Sequence, residues 1–259
     1  MKRIKFVFLL LLTTSGLGQS AKEVENRLLG HLSHLEKYSN YGGTSDYEQL
    51  EKINGLLKAD LKRLGRSPAT LAYSFPRLKE KMFVSTSKDR KFRVYSWDEE
   101  TGGTMHDFDS VFQFKGSNGK IYTWSQAASD GYDIGGFYHD VFQVSDRSGP
   151  VYLLVSTVIG STSLAGQSIS AFRVDGRSLD RSVKIIRTAS GVTDSISFEY
   201  DFFTVVDRPE RPIKLFKFDP LRMTFSFPVV IEDAKTPQGR VTDKMINYRF
   251  DGKYFVKTN

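Results

Sequence analysis

Cysteine is missing from all 259 residues. Its absence excludes disulfide stapling, thiol catalysis and thiolate metal sites at once. Histidine is scarce: His31, His34, His106 and His139 are the only four, so imidazole chemistry has few possible addresses. The motifs that announce common chemistries are absent too. There is no HExxH, no phosphate-cradling Walker loop, no G-x-S-x-G and no G-x-G-x-x-G. Ser161 and Ser163 lie between Gly160 and Gly166, but that spacing does not make a nucleophile elbow. No long basic cluster is present to track a phosphate backbone, which argues against nucleic acid as a partner.

Long apolar runs are also rare, and the first one has the marks of an export signal. Lys2, Arg3 and Lys5 precede an unbroken apolar stretch, Phe6–Leu12, and the small residues Gly16 and Gly18 stand at −3 and −1 of a cut before Gln19. That apolar stretch is far below the roughly 20 residues needed to cross a hydrocarbon core. No cysteine follows it, which excludes a lipid anchor. Removing residues 1–18 takes away three positive charges and no negative one, so the formal charge of +7 falls to +4. Val151–Ile159 is too short to span and carries Ser156 and Thr157. The expected product is secreted or periplasmic, with no membrane span after cleavage. The roughly 240 residues that remain can bury a core without covalent staples.

Residues 19–66 read as a helical hairpin. Ser20 with Glu23 fits a capping box, and Val24, Leu28, Leu32 and Leu35 form one stripe. Gly42-Gly43 breaks the pattern. Ser45 with Glu48 suggests a second box, opening a helix on which Leu50, Ile53, Leu57, Leu61 and Leu64 share a face. Gly65 ends it, and Pro68 cannot continue it.

From about residue 71 to 259 the apolar period becomes two. Phe92 and Val94 alternate with Arg93 and Tyr95; Ile196, Phe198, Tyr200 and Phe202 alternate with polar residues; Phe225 and Phe227, then Ile246, Tyr248 and Phe250, do the same. Such alternation marks half-buried antiparallel strands. Asn118-Gly119, Asp175-Gly176 and Asp251-Gly252 are hairpin turns between them. The segment Asp109–Phe114 (DSVFQF) is echoed by His139–Val144 (HDVFQV), and each follows a Gly-Gly pair, Gly102-Gly103 and Gly135-Gly136. A repeated sheet unit would produce the echo, as would chance likeness between two amphipathic strands, and the spacing falls short of a propeller blade. The fold class expected is mainly β with antiparallel sheets and an N-terminal helical hairpin. A propeller-like stack is slightly favoured over a sandwich or barrel. Pro237–Lys244 reads as a polar surface loop.

Two groups of residues could carry function. Tyr95, Trp97 and Trp124, beside Asp98 and the flexible Gly102-Gly103, could form an aromatic platform for a small molecule, glycan or peptide; packing in the core is the plainer use of the same rings. His106, Asp107, Asp109, His139 and Asp140, with Asp130 and Asp133, are polar residues next to the glycine pairs. Imidazole and carboxylate suit a transition metal or acid–base work, and His106, Asp107, His139 and Asp140 are the candidate metal set. Asp capping of turns is the competing account. Asp89 with Asp98–Glu100 is a second acidic group, for which calcium is the alternative to a solvated turn. His31 and His34, three apart on the first helix, read as helix surface or hairpin interface.

The segment YSWDEETGGTMHDF (Tyr95–Phe108), together with the signal ending before Gln19, resembles a group of uncharacterised exported bacterial proteins. The likeness covers mainly Ser85–Phe114, with support from INYRFDGKYF (Ile246–Phe255). It implies export and no particular mechanism. Trp97-Asp98 also resembles the dipeptide of WD-type propellers, without the companion Gly-His element. The function expected is therefore non-enzymatic ligand or partner binding. A secreted, possibly metal-dependent hydrolase using the His/Asp loops is the alternative.

Overall fold

The computed structural model describes residues 19–40, 44–126 and 135–258. The proposed export signal, Gly42-Gly43, Asp130 and Asp133 lie outside them. Two amphipathic helices come first, α1 (Ala21–Tyr38) and α2 (Tyr47–Leu64). The capping box of α1 is present as expected: Ser20 Oγ accepts from the Glu23 amide, and Glu23 accepts from the Ser20 amide at 2.7 Å. The second box is not. Asp46 caps α2 by accepting from the Gln49 amide, while Ser45 Oγ accepts from the Asn40 amide and closes the preceding loop. A carboxylate competes well for the cap because it also favours the positive end of the helix. Gly65 ends α2 as expected, its amide bonding the Leu61 carbonyl, and Pro68 opens a further short helix, α3 (Pro68–Ala72), at a position where its missing N–H costs nothing.

The remainder is mainly strand, arranged in three sheets. The first holds β1 (Phe83–Thr86), β2 (Phe92–Asp98), β3 (Phe108–Lys115) and β4 (Ile121–Ser125) in sequential antiparallel order. The middle sheet is built on β5 (Phe137–Asp146), β6 (Gly149–Ile159) and β7 (Leu164–Asp175). A short β8 (Ser178–Asp180) pairs with the far end of β7. The third sheet takes β9 (Ile186–Thr188) and β10 (Gly191–Thr193). The chain then returns to the edge of the middle sheet as β11 (Ser195–Asp201), paired with β7. The third sheet is completed by β12 (Lys217–Asp219), β13 (Thr224–Asp233), β14 (Thr236–Phe250) and β15 (Phe255–Thr258).

The layers follow from alternation along each strand. In β2, Tyr95 and Trp97 point to the helices and join Leu28, Leu35, Leu50 and Leu57 in one cluster, while Phe92 and Val94 point the other way. Those two meet Tyr152, Leu154 and Phe172 of the middle sheet, whose opposite face carries Leu153, Val155, Ile169 and Ala171 onto Phe225, Phe227, Tyr248 and Phe255 of the third sheet. The order is helices, first sheet, middle sheet, third sheet. Between helices and first sheet the core is partly polar. Arg93, 3% exposed, donates to the Thr70 carbonyl at 2.7 Å and to Thr86 Oγ1 at 2.8 Å. Tyr95 donates to Gln113 Oε1 at 2.9 Å, and Gln113 donates to Thr70 Oγ1 at 2.8 Å. Buried donors of this kind must find acceptors, so the network fixes how the helices seat. Glu25, 1% exposed, fastens α1 by accepting from the amides of Arg77 and Leu78.

A mainly antiparallel β chain behind a helical hairpin is thus what the period-two pattern implies. The propeller-like arrangement is not what the sheets form. They hold four, five and six strands, and in the largest β15 lies parallel to β9 through a crossover, whereas blades are sequential and alike. The echoed segments are not a repeated unit either: Asp109–Phe114 is an inner strand of the first sheet and His139–Val144 an edge strand of the middle one. All three turn glycines adopt positive φ as hairpin turns need: Gly119 (78°), Gly176 (60°) and Gly252 (99°). Pro237–Lys244 is not a loop. It lies within β14, where Val241 pairs with Val230 beyond a bulge.

Candidate functional site

The aromatic platform is dispersed by the layering. Trp97 and Tyr95 are 0% and 1% exposed beneath the helices, and Trp97 Nε1 donates to Asn54 Oδ1 at 2.9 Å. Trp124 sits on the opposite face of the sheet, against Phe112, with the Arg181 guanidinium 4.2 Å from its ring. Strand alternation places residues 95 and 97 on the side that the helical stripe covers, so neither ring can meet a ligand. Asp98 is at the strand end, where it accepts from the Glu100 amide and meets His106 Nδ1 at 2.5 Å. Gly102 is required for a tight turn, because a Cβ there would lie 2.0 Å from the Met105 carbonyl oxygen. Gly103 has open space around it.

The His/Asp set divides into separate pairs. Asp107 accepts from the Thr101 hydroxyl at 3.2 Å. Asp109 bonds its own strand neighbour and pairs with Lys58 of α2 at 2.8 Å. His139 pairs with Asp140. Among the described residues, no group of three or more His, Asp or Glu is placed to hold a metal ion. On α1, His31 meets Asp60 of α2 at 2.8 Å while His34 is exposed, so these two do not act together. Burial pushes the Asp60 carboxyl up, but hydrogen bonds from His31, Arg63 and Arg27 outweigh it and hold the group at about 2. Glu99 behaves oppositely. Burial, reinforced by the charges of Asp109 and Asp107, pushes it up to about 7.

His106 is brought to a cavity of about 380 Å³ at one end of the middle sheet. The floor is strand: Phe137 and Thr157 face each other across β5 and β6, and Ala165 links Ile159 to Tyr200 across β6, β7 and β11. The roof is the segment after β11, with Phe202, Arg211, Pro212 and Ile213 reaching the opening. Ser161 and Thr162 of the β6–β7 turn complete the rim. The segment lies firmly on the sheet: Val205, Ile213 and Leu215 pack with Ala165 and Tyr200, and Gln167 bonds the Ile213 carbonyl and the Leu215 amide. The walls are thus aliphatic and aromatic, and hydroxyls and two basic side chains stand at the edge. The hydrogen bond with Asp98 raises the His106 pKa against the opposing effect of burial, which favours its cationic form. Burial pushes the Tyr200 phenol up to about 12, so it remains neutral.

Behind Thr157 lies a chain of polar contacts. Thr157 Oγ1 is 3.1 Å from His139 Nε2, and His139 Nδ1 is 2.9 Å from Asp140 Oδ2. Lys214 in turn reaches Asp140 at 3.0 Å. Burial pushes the Asp140 carboxyl up, but His139 and Lys214 bring it below its ordinary value. The arrangement depends on a bulge in β5 between Tyr138 and Asp140, which lets two consecutive residues serve one face.

The sequence reading therefore found His106, His139 and Asp140 but not the group they adjoin. Thr157 follows on the next strand, and Tyr200, Phe202, Arg211 and Ile213 lie at least 60 residues beyond Asp140 in the chain; none matches a motif. The one available signal was the stretch Asp207–Pro212 (DRPERP), too rich in proline to be an inner strand. Comparison of the chain with family models, curated proteins and solved structures finds no match.

Proposed function

We propose that this is an exported protein that binds a small, largely apolar molecule in the cavity roofed by Phe202–Ile213. The observation that supports this reading most is the lining itself. Phe137, Ile159, Phe202 and Ile213 supply apolar wall, while Arg211 gives the rim a positive charge and His106 a polar ring. Such a site suits a ligand with an apolar body and a neutral or anionic head, and its volume lies in the range of small-molecule pockets. Export rests on the residues before Gln19. Among the described residues, no helix is long and apolar enough to cross a membrane.

Titration with 1-anilinonaphthalene-8-sulfonate, an apolar probe with an anionic head, tests the reading. Emission should rise and saturate at one probe per chain, and Ala165→Leu, which fills the floor at an overpacking cost of about 1–3 kcal/mol, should weaken binding at least about tenfold with the chain still folded. Unsaturable emission, or equal binding by the variant, would refute it. Export has its own check: the mature chain recovered from outside the cytoplasm should begin at Gln19. The hydrolase reading is favoured by one observation, the hydroxyl–imidazole–carboxylate chain behind the cavity.

A further inference from the structure

The cavity and the polar chain behind it share one atom group, the Thr157 side chain. We propose that Thr157 is a nucleophile, activated by His139 and Asp140, and that the cavity hydrolyses small esters with apolar acyl or alcohol parts. The inference rests on the binding reading above, since the substrate must enter the same cavity.

Three features of the geometry carry it. The first is order: hydroxyl, imidazole and carboxylate follow one another at 3.1 Å and 2.9 Å, each within hydrogen-bond reach of the next. A hydroxyl bonded to an imidazole whose other nitrogen is held by a third group is the arrangement that activates weak nucleophiles. The second is position. Thr157 lines the cavity, whereas the His139 side chain is 1% exposed, so the base lies directly behind the residue that a bound molecule meets. The third is the bulge in β5. Regular pleating would send His139 and Asp140 to opposite faces; the extra residue lets them bond each other. A core that needed only packing at these positions would be better served by apolar residues, because buried polar groups cost free energy unless paired.

The chemistry balances with water as the only co-reactant. Thr157 Oγ1 attacks the ester carbonyl carbon while its proton passes to His139 Nε2. Asp140, held by Lys214, faces the imidazolium that forms. The tetrahedral intermediate collapses, the bond to the alcohol oxygen breaks, and His139 returns the proton to that oxygen. Water then attacks the acyl group on Thr157, giving a proton to His139 that passes to the departing Oγ1. Ester and water become acid and alcohol. The apolar walls set the substrate class, and the positive rim accommodates the acid product.

Labelling with an alkyl fluorophosphonate, read by intact mass and peptide mapping, tests the step without depending on a variant. One adduct per chain, on the peptide holding residue 157, is expected. Hydrolysis of p-nitrophenyl butyrate should fall at least about 100-fold in Thr157→Val and in His139→Gln, and survive in Thr157→Ser. A native chain that binds the naphthalene probe but takes no label at residue 157 would overturn the catalytic inference alone. Equal turnover by Thr157→Val would do the same. Labelling in a chain that fails to bind the probe would instead overturn the binding reading.

Discussion

At the scale of single residues, burial decides what each polar group can do. Glu99 gives the clearest pH signature. Its folded pKa of about 7 lies above the ordinary 4.5, so folding favours the protonated form. The native chain is therefore unpenalised below about pH 4.5 and loses stability as pH rises through 7. Glu99→Gln, which cannot ionise, should be more stable than the native chain at pH 8 by about 1–2 kcal/mol, the gap closing by pH 5. Urea denaturation at the two pH values measures it; a constant gap would contradict the assignment. Trp97 provides a second test. Trp97→Phe keeps the ring packed under the helices but strands the Asn54 side-chain oxygen, a loss of about 2 kcal/mol. Probe binding should not change. Unaltered stability with lost binding would restore residue 97 to the ligand surface.

At the scale of elements, what could be read from the chain is what periodicity encodes. The leucine stripes of α1 and α2 and the alternation in β2, β13 and β14 are local patterns, and the structure realises them. Trp97 shows the limit. Alternation says that its face is opposite that of Val94, but only the seating of the helices tells which face is closed. The second capping box failed for a similarly local reason, since Ser45 and Asp46 are adjacent candidates and tertiary context chose between them. The glycine pairs were legible as special positions, yet their use differs. A Cβ at Gly135 would lie 1.8 Å from the Phe108 carbonyl oxygen, where the start of β5 crosses the end of the first sheet. Backbone cannot yield as a side-chain tip can, so Gly135→Ala should cost about 2 kcal/mol or more, while Gly103→Ala, with open space, should stay within about 0.5 kcal/mol. Thermal melts of the two variants make the comparison; equal losses would contradict the close approach.

At the scale of the molecule, the four layers leave one end of the middle sheet uncovered by either neighbouring sheet, and a single irregular segment roofs it. Local sequence marks the proline-rich Asp207–Pro212 as irregular but not what it covers. His106 comes from the turn between β2 and β3, Thr157 from β6, Tyr200 from β11 and Phe202–Ile213 from the roof, and only the crossovers between sheets bring them together. His106, His139 and Asp140 could be singled out by residue type, but their partners could not. A second concavity lies at the strand edges, between Phe142 of β5 and Phe218 of β12. The two are separated by a direct measurement: diffraction from crystals pressurised with xenon, which seeks apolar space. The account predicts xenon density among Phe137, Ile159, Tyr200 and Phe202. Density confined to the groove by Phe142 and Phe218, with none beneath the roof, would contradict it.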